Sequence, residues 1–246
     1  PPEFLLTHPV TERRIADARN RVMGAPLRHY PISADYQLMR SRALVALNRK
    51  SKDMIKNFQL KIDQRSRHHE AQIYGLTLAH ISEKNYPEAR RLMDQLIAQN
   101  PSQLIFRHTD IEIDMAFENL PEALSKLQRL LTENPENYPL SMLQAEALWQ
   151  AEQYEDASKA LRLLSRQRPG DPSIWYRLAE VSGLAGDISG VHRARAEYFV
   201  LVGAFDRARK QLTKAANLVS SDFKQSSIIR QRLRDLADME DRVVKL

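Results

Sequence analysis

The chain has 246 residues, 43% of them hydrophobic, and no cysteine, which leaves room for one elongated or two small domains and excludes disulfides, thiolate zinc sites and cysteine nucleophiles. Glycine is scarce, 7 in all, which favours helix over turn-rich β structure, and no apolar run approaches the roughly 20 residues that span a bilayer, predicting a soluble chain without a transmembrane segment. The formal charge of +6 divides into +8 over residues 1–69 and −2 over residues 70–246; the basic residues stand singly between apolar ones, as on a solvated helix face, so nucleic acid is not an expected partner.

In chain order, residues 1–30 begin without an initiator methionine or signal peptide, and Pro1-Pro2-Glu3-Phe4-Leu5 reads as the middle of something larger. An apolar stretch, Phe4-Leu5-Leu6, precedes a helix starting near Thr11, an acceptable N-cap without the acidic capping-box partner. A connector with Gly24, Pro26 and Pro31 follows. Residues 31–69 read as a degenerate helical pair, apolar at Ala34, Tyr36, Leu38, Met39, Ala43, Leu44 and Leu47, then at Met54, Ile55, Phe58, Leu60 and Ile62.

Residues 70–222 carry the strongest signal, an internal repeat. Tyr86-Pro87-Glu88-Ala89, Leu120-Pro121-Glu122-Ala123 and Tyr154-Glu155-Asp156-Ala157 place their alanines 34 residues apart, and Pro101, Pro135 and Pro169 follow at the same interval. Trp175-Tyr176-Arg177-Leu178-Ala179 opens a further unit. This is the tetratricopeptide (TPR) pattern, and its physics is legible. A small residue lets the two helices of each hairpin approach, and proline ends the second helix because it lacks an N–H and disfavours helix in the residue before it. The next turn signature, Gly203-Ala204-Phe205-Asp206-Arg207-Ala208, puts Ala208 51 residues after Ala157, one and a half units. A helix from about Ser189 to Val202 must then serve two hairpins. Residues 223–246 read as an amphipathic capping helix with Ile228, Ile229, Leu233, Leu236, Met239 and Val243 on one stripe. The expected fold is all-α: a TPR helical-hairpin solenoid with a half-repeat offset and a C-terminal cap.

Chemistry is thinner. His69-Glu70-Ala71-Gln72 starts like a zinc-protease helix, but Ile73 stands where the second histidine should be, so the metal would lack its two imidazoles one turn apart. His29, His80 and His192 are isolated, and no phosphate loop or nucleophile elbow occurs. Binding is better supported. Taking the prolines as position 32 puts positions 5, 9 and 12 of each first helix on the concave surface. Position 5 is Tyr74, His108, Met142 and Tyr176; position 9 is Leu78, Glu112, Glu146 and Glu180; position 12 is Ile81, Met115 and Trp149. Such a wall, apolar with three glutamates, suits an extended or aromatic-rich peptide segment better than an acidic tail. The competing expectation is that Met115 and Trp149 pack internally and the glutamates are solvated or paired with Arg107 or Arg177.

The stretch Phe4-Leu5-Leu6-Thr7-His8-Pro9 through Arg14-Ile15-Ala16-Asp17-Ala18-Arg19 resembles the closing part of the peptidase domain in HtpX-type zinc metalloproteases, where Thr-His-Pro is followed six residues after the histidine by Arg-Ile or Arg-Leu. With TPR units directly behind it, the whole chain is similar to the periplasmic β-barrel assembly-enhancing members of that group. The resemblance implies that His8 is a regulatory zinc ligand on a loop over the active site. It also implies that Arg14 is a supporting catalytic residue near the metal, and that the parent is a zinc endopeptidase. The expected partners are outer-membrane β-barrel proteins or their assembly machinery, together with the peptidase domain itself. The HExxH helix and the further glutamate ligand are missing from this sequence, so zinc belongs to the parent enzyme and the chain is expected to be inactive alone. The alternative is a free-standing TPR scaffold that binds an extended peptide.

Overall fold

The computed structural model describes residues 11–23, 33–48, 50–64 and 68–244, and among them are thirteen α-helices and no strand. The N-terminal helix α1 (Thr11–Val22) precedes α2 (Ala34–Leu47) and α3 (Ser51–Asp63). Four antiparallel hairpins follow: α4 (His69–Ser82) with α5 (Tyr86–Gln99), α6 (Leu104–Ala116) with α7 (Leu120–Glu133), α8 (Tyr138–Gln150) with α9 (Tyr154–Gln167), and α10 (Pro172–Leu184) with α11 (Ile188–Leu201). Helices α12 (Phe205–Leu218) and α13 (Phe223–Val244) complete the chain. The all-α TPR solenoid expected from the repeat is the observed fold.

The repeat is built into the backbone. The first helix of every hairpin ends in the same left-handed residue: Lys84, Glu118, Glu152 and Gly186, with φ of 58°, 59°, 58° and 76°. The next N–H closes back five residues, from Asn85 to His80 O, Asn119 to Asp114 O, Gln153 to Leu148 O and Asp187 to Ser182 O, each at 2.9 Å. This is a Schellman cap, which turns the chain while satisfying carbonyls that the helix end leaves open. Ala89, Ala123 and Ala157 are each 0% exposed, at equivalent close-contact positions. Asn137, Asp171 and Asp187 cap α8, α10 and α11 with side-chain oxygens that accept backbone N–H groups.

The half-repeat is equally visible. Gly203 is left-handed (φ 74°), 17 residues after Gly186, and Ala204 N–H closes on Phe199 O at 2.8 Å. Helix α11 therefore packs as the second helix against α10 and as the first against α12, and α13 covers α12 through Ile229, Leu233 and Leu236. Apolar packing runs down the molecule in four successive clusters. At one point the packing is unusually close: the Phe58 ring of α3 lies on the backbone of Gly75 in α4, where a Cβ would collide with two ring carbons. Between the first two units, Arg90 and Lys126 each bridge both Asp110 and Asp114, tying α5, α6 and α7 together through carboxylates almost withdrawn from water.

Candidate peptide groove

Positions 5, 9 and 12 of α4, α6, α8 and α10 fall on one side of the solenoid, but the two halves of that wall differ. In the first half the wall is covered. Helix α2 packs onto α4, turning Gln37, Leu38, Ser41 and Val45 inward. Ser41 donates its hydroxyl to Ala71 O at 2.8 Å, and Asp35 accepts from Gln103 Nε2 at 3.0 Å. Arg42 reaches deepest. Its Nε donates to the Tyr74 hydroxyl at 2.9 Å, Nη2 to Thr109 Oγ1 at 2.7 Å, and its two Nη groups grip Glu112 as a fork at 3.0 and 2.6 Å.

Burial and charge decide how these groups titrate. Burial by itself would raise the Glu112 carboxyl, but the adjoining His108 and Arg42 outweigh it and bring it down to about 2. Burial likewise opposes the Arg42 charge, and Glu112 more than offsets that, holding the guanidinium above its ordinary value. The Tyr74 hydroxyl is pushed up, mainly by burial. Tyr74 is 0% exposed and packs against Phe106, the rings tilted with centroids 5.6 Å apart, while Leu78 and Met115 are buried and Ile81 is half-buried. These four side chains form core under α2 and along the unit interface. Arg107 donates to Pro101 O and takes no part in the groove.

The second half is open. Trp149 is 37% and Tyr176 52% exposed, Glu180 is exposed, and Met142 is half-buried. Glu146 pairs with Arg177 at 3.3 Å, as the competing expectation had it. Met142, Glu146, Trp149 and Glu180 converge on one shallow depression between α8 and α10, and Tyr176 continues the wall edge-on to Tyr198 at 5.8 Å. His108 lies apart from them. It joins Met39 and Arg42 of α2 with Ile105, Pro139 and Leu140 in a mainly apolar cleft of about 460 Å³. Sequence reasoning missed Met39, Arg42 and Pro139 here, and α2 carries two arginines, Arg40 and Arg42, with nothing in the sequence to single out the second.

His8 lies outside the described residues, as does the side chain of Arg14, whose backbone belongs to α1. Among the described residues no three His, Asp or Glu side chains group as metal ligands.

The fold and the ridge of exposed aromatics define a TPR protein-interaction solenoid. A family model described as tetratricopeptide repeat matches residues 114–181. The solved structure of a tetratricopeptide repeat protein from Parabacteroides merdae superposes with a TM-score of 0.51 at 12% identity, covering 92% of this chain and 91% of that one. The chain is also like a β-barrel assembly-enhancing protease along nearly its whole length. It is 28% identical to the protein of that name from Escherichia coli K12 over 98% of this chain, and 28% identical to the one from Yersinia pestis over all of it. It spans about half the length of these relatives, 50% and 51%.

Proposed function

We propose that this chain is the non-catalytic recognition region of a periplasmic zinc metalloprotease that acts, with chaperone-like selectivity, in quality control of outer-membrane protein assembly. An extended segment of the client or of the assembly machinery lies against Met142, Trp149, Tyr176 and Glu180. The observation that carries the reading is the open half-groove itself: two large aromatics held at the surface beside carboxylates, on a solenoid similar throughout to assembly-enhancing proteases. Exposed aromatic anchors of this kind concentrate binding energy, and an extended strand finds both apolar and polar contacts along such a wall. The outer face of α2, with Tyr36, Met39, Ala43 and Leu47 exposed along one stripe, suits contact with the further domain that the relatives' length accommodates. His8 as a ligand of the parent enzyme's zinc, and Arg14 as its supporting residue, rest on the resemblance of residues 4–19.

The test is binding of an unfolded outer-membrane β-barrel protein to the chain and to its Trp149→Ala, Tyr176→Ala double variant. Affinity is expected to fall by a factor of about ten or more. Unchanged binding by a variant that still melts cooperatively excludes the groove. Reading the gene ahead of Pro1 for an HExxH helix tests the parent enzyme separately.

A further inference from the structure

The half-repeat gives the chain a second set of groove positions, on α11. Arg193, Glu197 and Val200 of α11 stand 15, 11 and 8 residues before Ala208, as Tyr74, Leu78 and Ile81 stand before Ala89. When α11 serves as the first helix of the α11–α12 hairpin, it presents these groove positions to the back of the preceding hairpin. Helix α10 is the partition. Arg177, Glu180 and Val181 line the open depression described above, whereas Trp175, Leu178 and Ser182 line a cavity of about 420 Å³ between α9, α11 and α13. The two stripes lie roughly 140° apart around α10 at 3.6 residues per turn.

The two surfaces are opposite in charge. Four arginines, Arg162, Arg166, Arg193 and Arg232, border the second cavity. Two are already neutralised: Arg232 forks onto Glu197 at 2.8 and 2.7 Å, and Arg162 pairs with Asp187. Arg193 donates to Gln225, a neutral acceptor, at 2.9 Å, and Arg166 has no acidic partner among the described residues. Ser182, 0% exposed, borders the same space with a hydroxyl that has no hydrogen-bond partner, and a buried polar group is seldom left so. Trp175, pinned by its Nε1 donating to Pro169 O at 2.8 Å, supplies the wall, with apolar surface from Leu178 and Ile228.

We propose that this cavity is a second peptide site, selective for an acidic segment with apolar side chains between its carboxylates. Arg166 and Arg193 take the carboxylates, and Trp175, Leu178 and Ile228 take the intervening side chain. Guanidinium groups without a carboxylate suit that role because their fork matches one, and the volume falls in the range of built ligand sites. The site is separate from the groove under Proposed function and stands or falls without it.

Trp149 and Trp175 are the only tryptophans, so Trp149→Phe leaves Trp175 as a reporter. The probe is a short capped peptide of alternating glutamate and leucine, added to the full chain in that background. The expected result is a saturable change in Trp175 emission, with affinity about tenfold or more lower in Arg166→Gln, Arg193→Gln. Arg166→Gln alone, at an exposed position, serves if the double variant melts early. The absence of a saturable change overturns the proposal, as does equal affinity in the arginine variants. Equal binding of a lysine–leucine peptide removes the charge selectivity, and equal binding of a polyglutamate removes the apolar subsite. Loss of binding in Tyr176→Ala with the arginines intact places the peptide on the other side of α10 and also overturns it.

Discussion

Replacing Glu112 by glutamine tests whether α2 is held in the groove by charge. The carboxyl falls from 4.5 to about 2 in the folded chain, and at about 1.36 kcal/mol per unit this is worth about 3 kcal/mol. Because the folded value lies below the unfolded one, the stabilisation is fully present above about pH 4.5 and disappears as pH falls through about 2. The groups facing Glu112 are Arg42 from α2, Tyr74 from α4 and His108 from its own helix. Urea unfolding of the parent and of Glu112→Gln, run side by side over that pH range, cancels the contribution of every other carboxylate. The stability difference should be about 3 kcal/mol near neutrality and close to zero at about pH 2. Amide exchange should show α2 losing protection before α4 in the variant. A difference that does not change with pH would refute the reasoning, since it would mean that the substituted amide alters packing and that the ion pair carries no net weight.

Two further substitutions probe the scaffold. Gly75→Ala drives a Cβ into the Phe58 ring and should cost about 1–3 kcal/mol of stability in denaturant unfolding; Phe58→Leu in the same background should recover part of it, and an unchanged midpoint would show that α3 does not press on α4. Gly186→Ala places a side chain at φ 76° and should cost about 1–2 kcal/mol, whereas Glu152→Gly, at the matching turn with φ 58°, should be neutral or stabilising. Equal effects of the two changes would mean that the left-handed caps are not strained.

The repeat was legible because its defining residues act locally. Ala89, Ala123 and Ala157 matter through a contact within their own hairpin, and Pro101, Pro135 and Pro169 through their own backbone. The left-handed caps were hidden in three turns, since Lys84, Glu118 and Glu152 hold the conformation that Gly186 and Gly203 advertise. The groove was half-legible for a different reason. Trp149, Tyr176 and Glu180 keep the exposure that register assigns, but Tyr74 does not, because what covers it comes from 32 residues away. Helix α2 gave no warning in its periodicity. It buries Gln37 and Ser41 with Leu38 and Val45, and leaves Tyr36, Met39 and Leu47 outside, so its apolar pattern points away from the surface it packs on.

That inversion has a consequence for how the solenoid can bind. A TPR wall can take up a segment only at register positions left uncovered, and here the chain covers the first half with its own helix and leaves Trp149, Tyr176 and Glu180 in the second half exposed. The half-repeat then adds what a regular spiral cannot: sharing α11 between two hairpins turns groove positions toward the back, so α10 separates a glutamate-bearing face from an arginine-bearing one. The break after Gly186, made by the single turn at Gly203, puts two surfaces of different charge on the two sides of α10, within one helix diameter of each other.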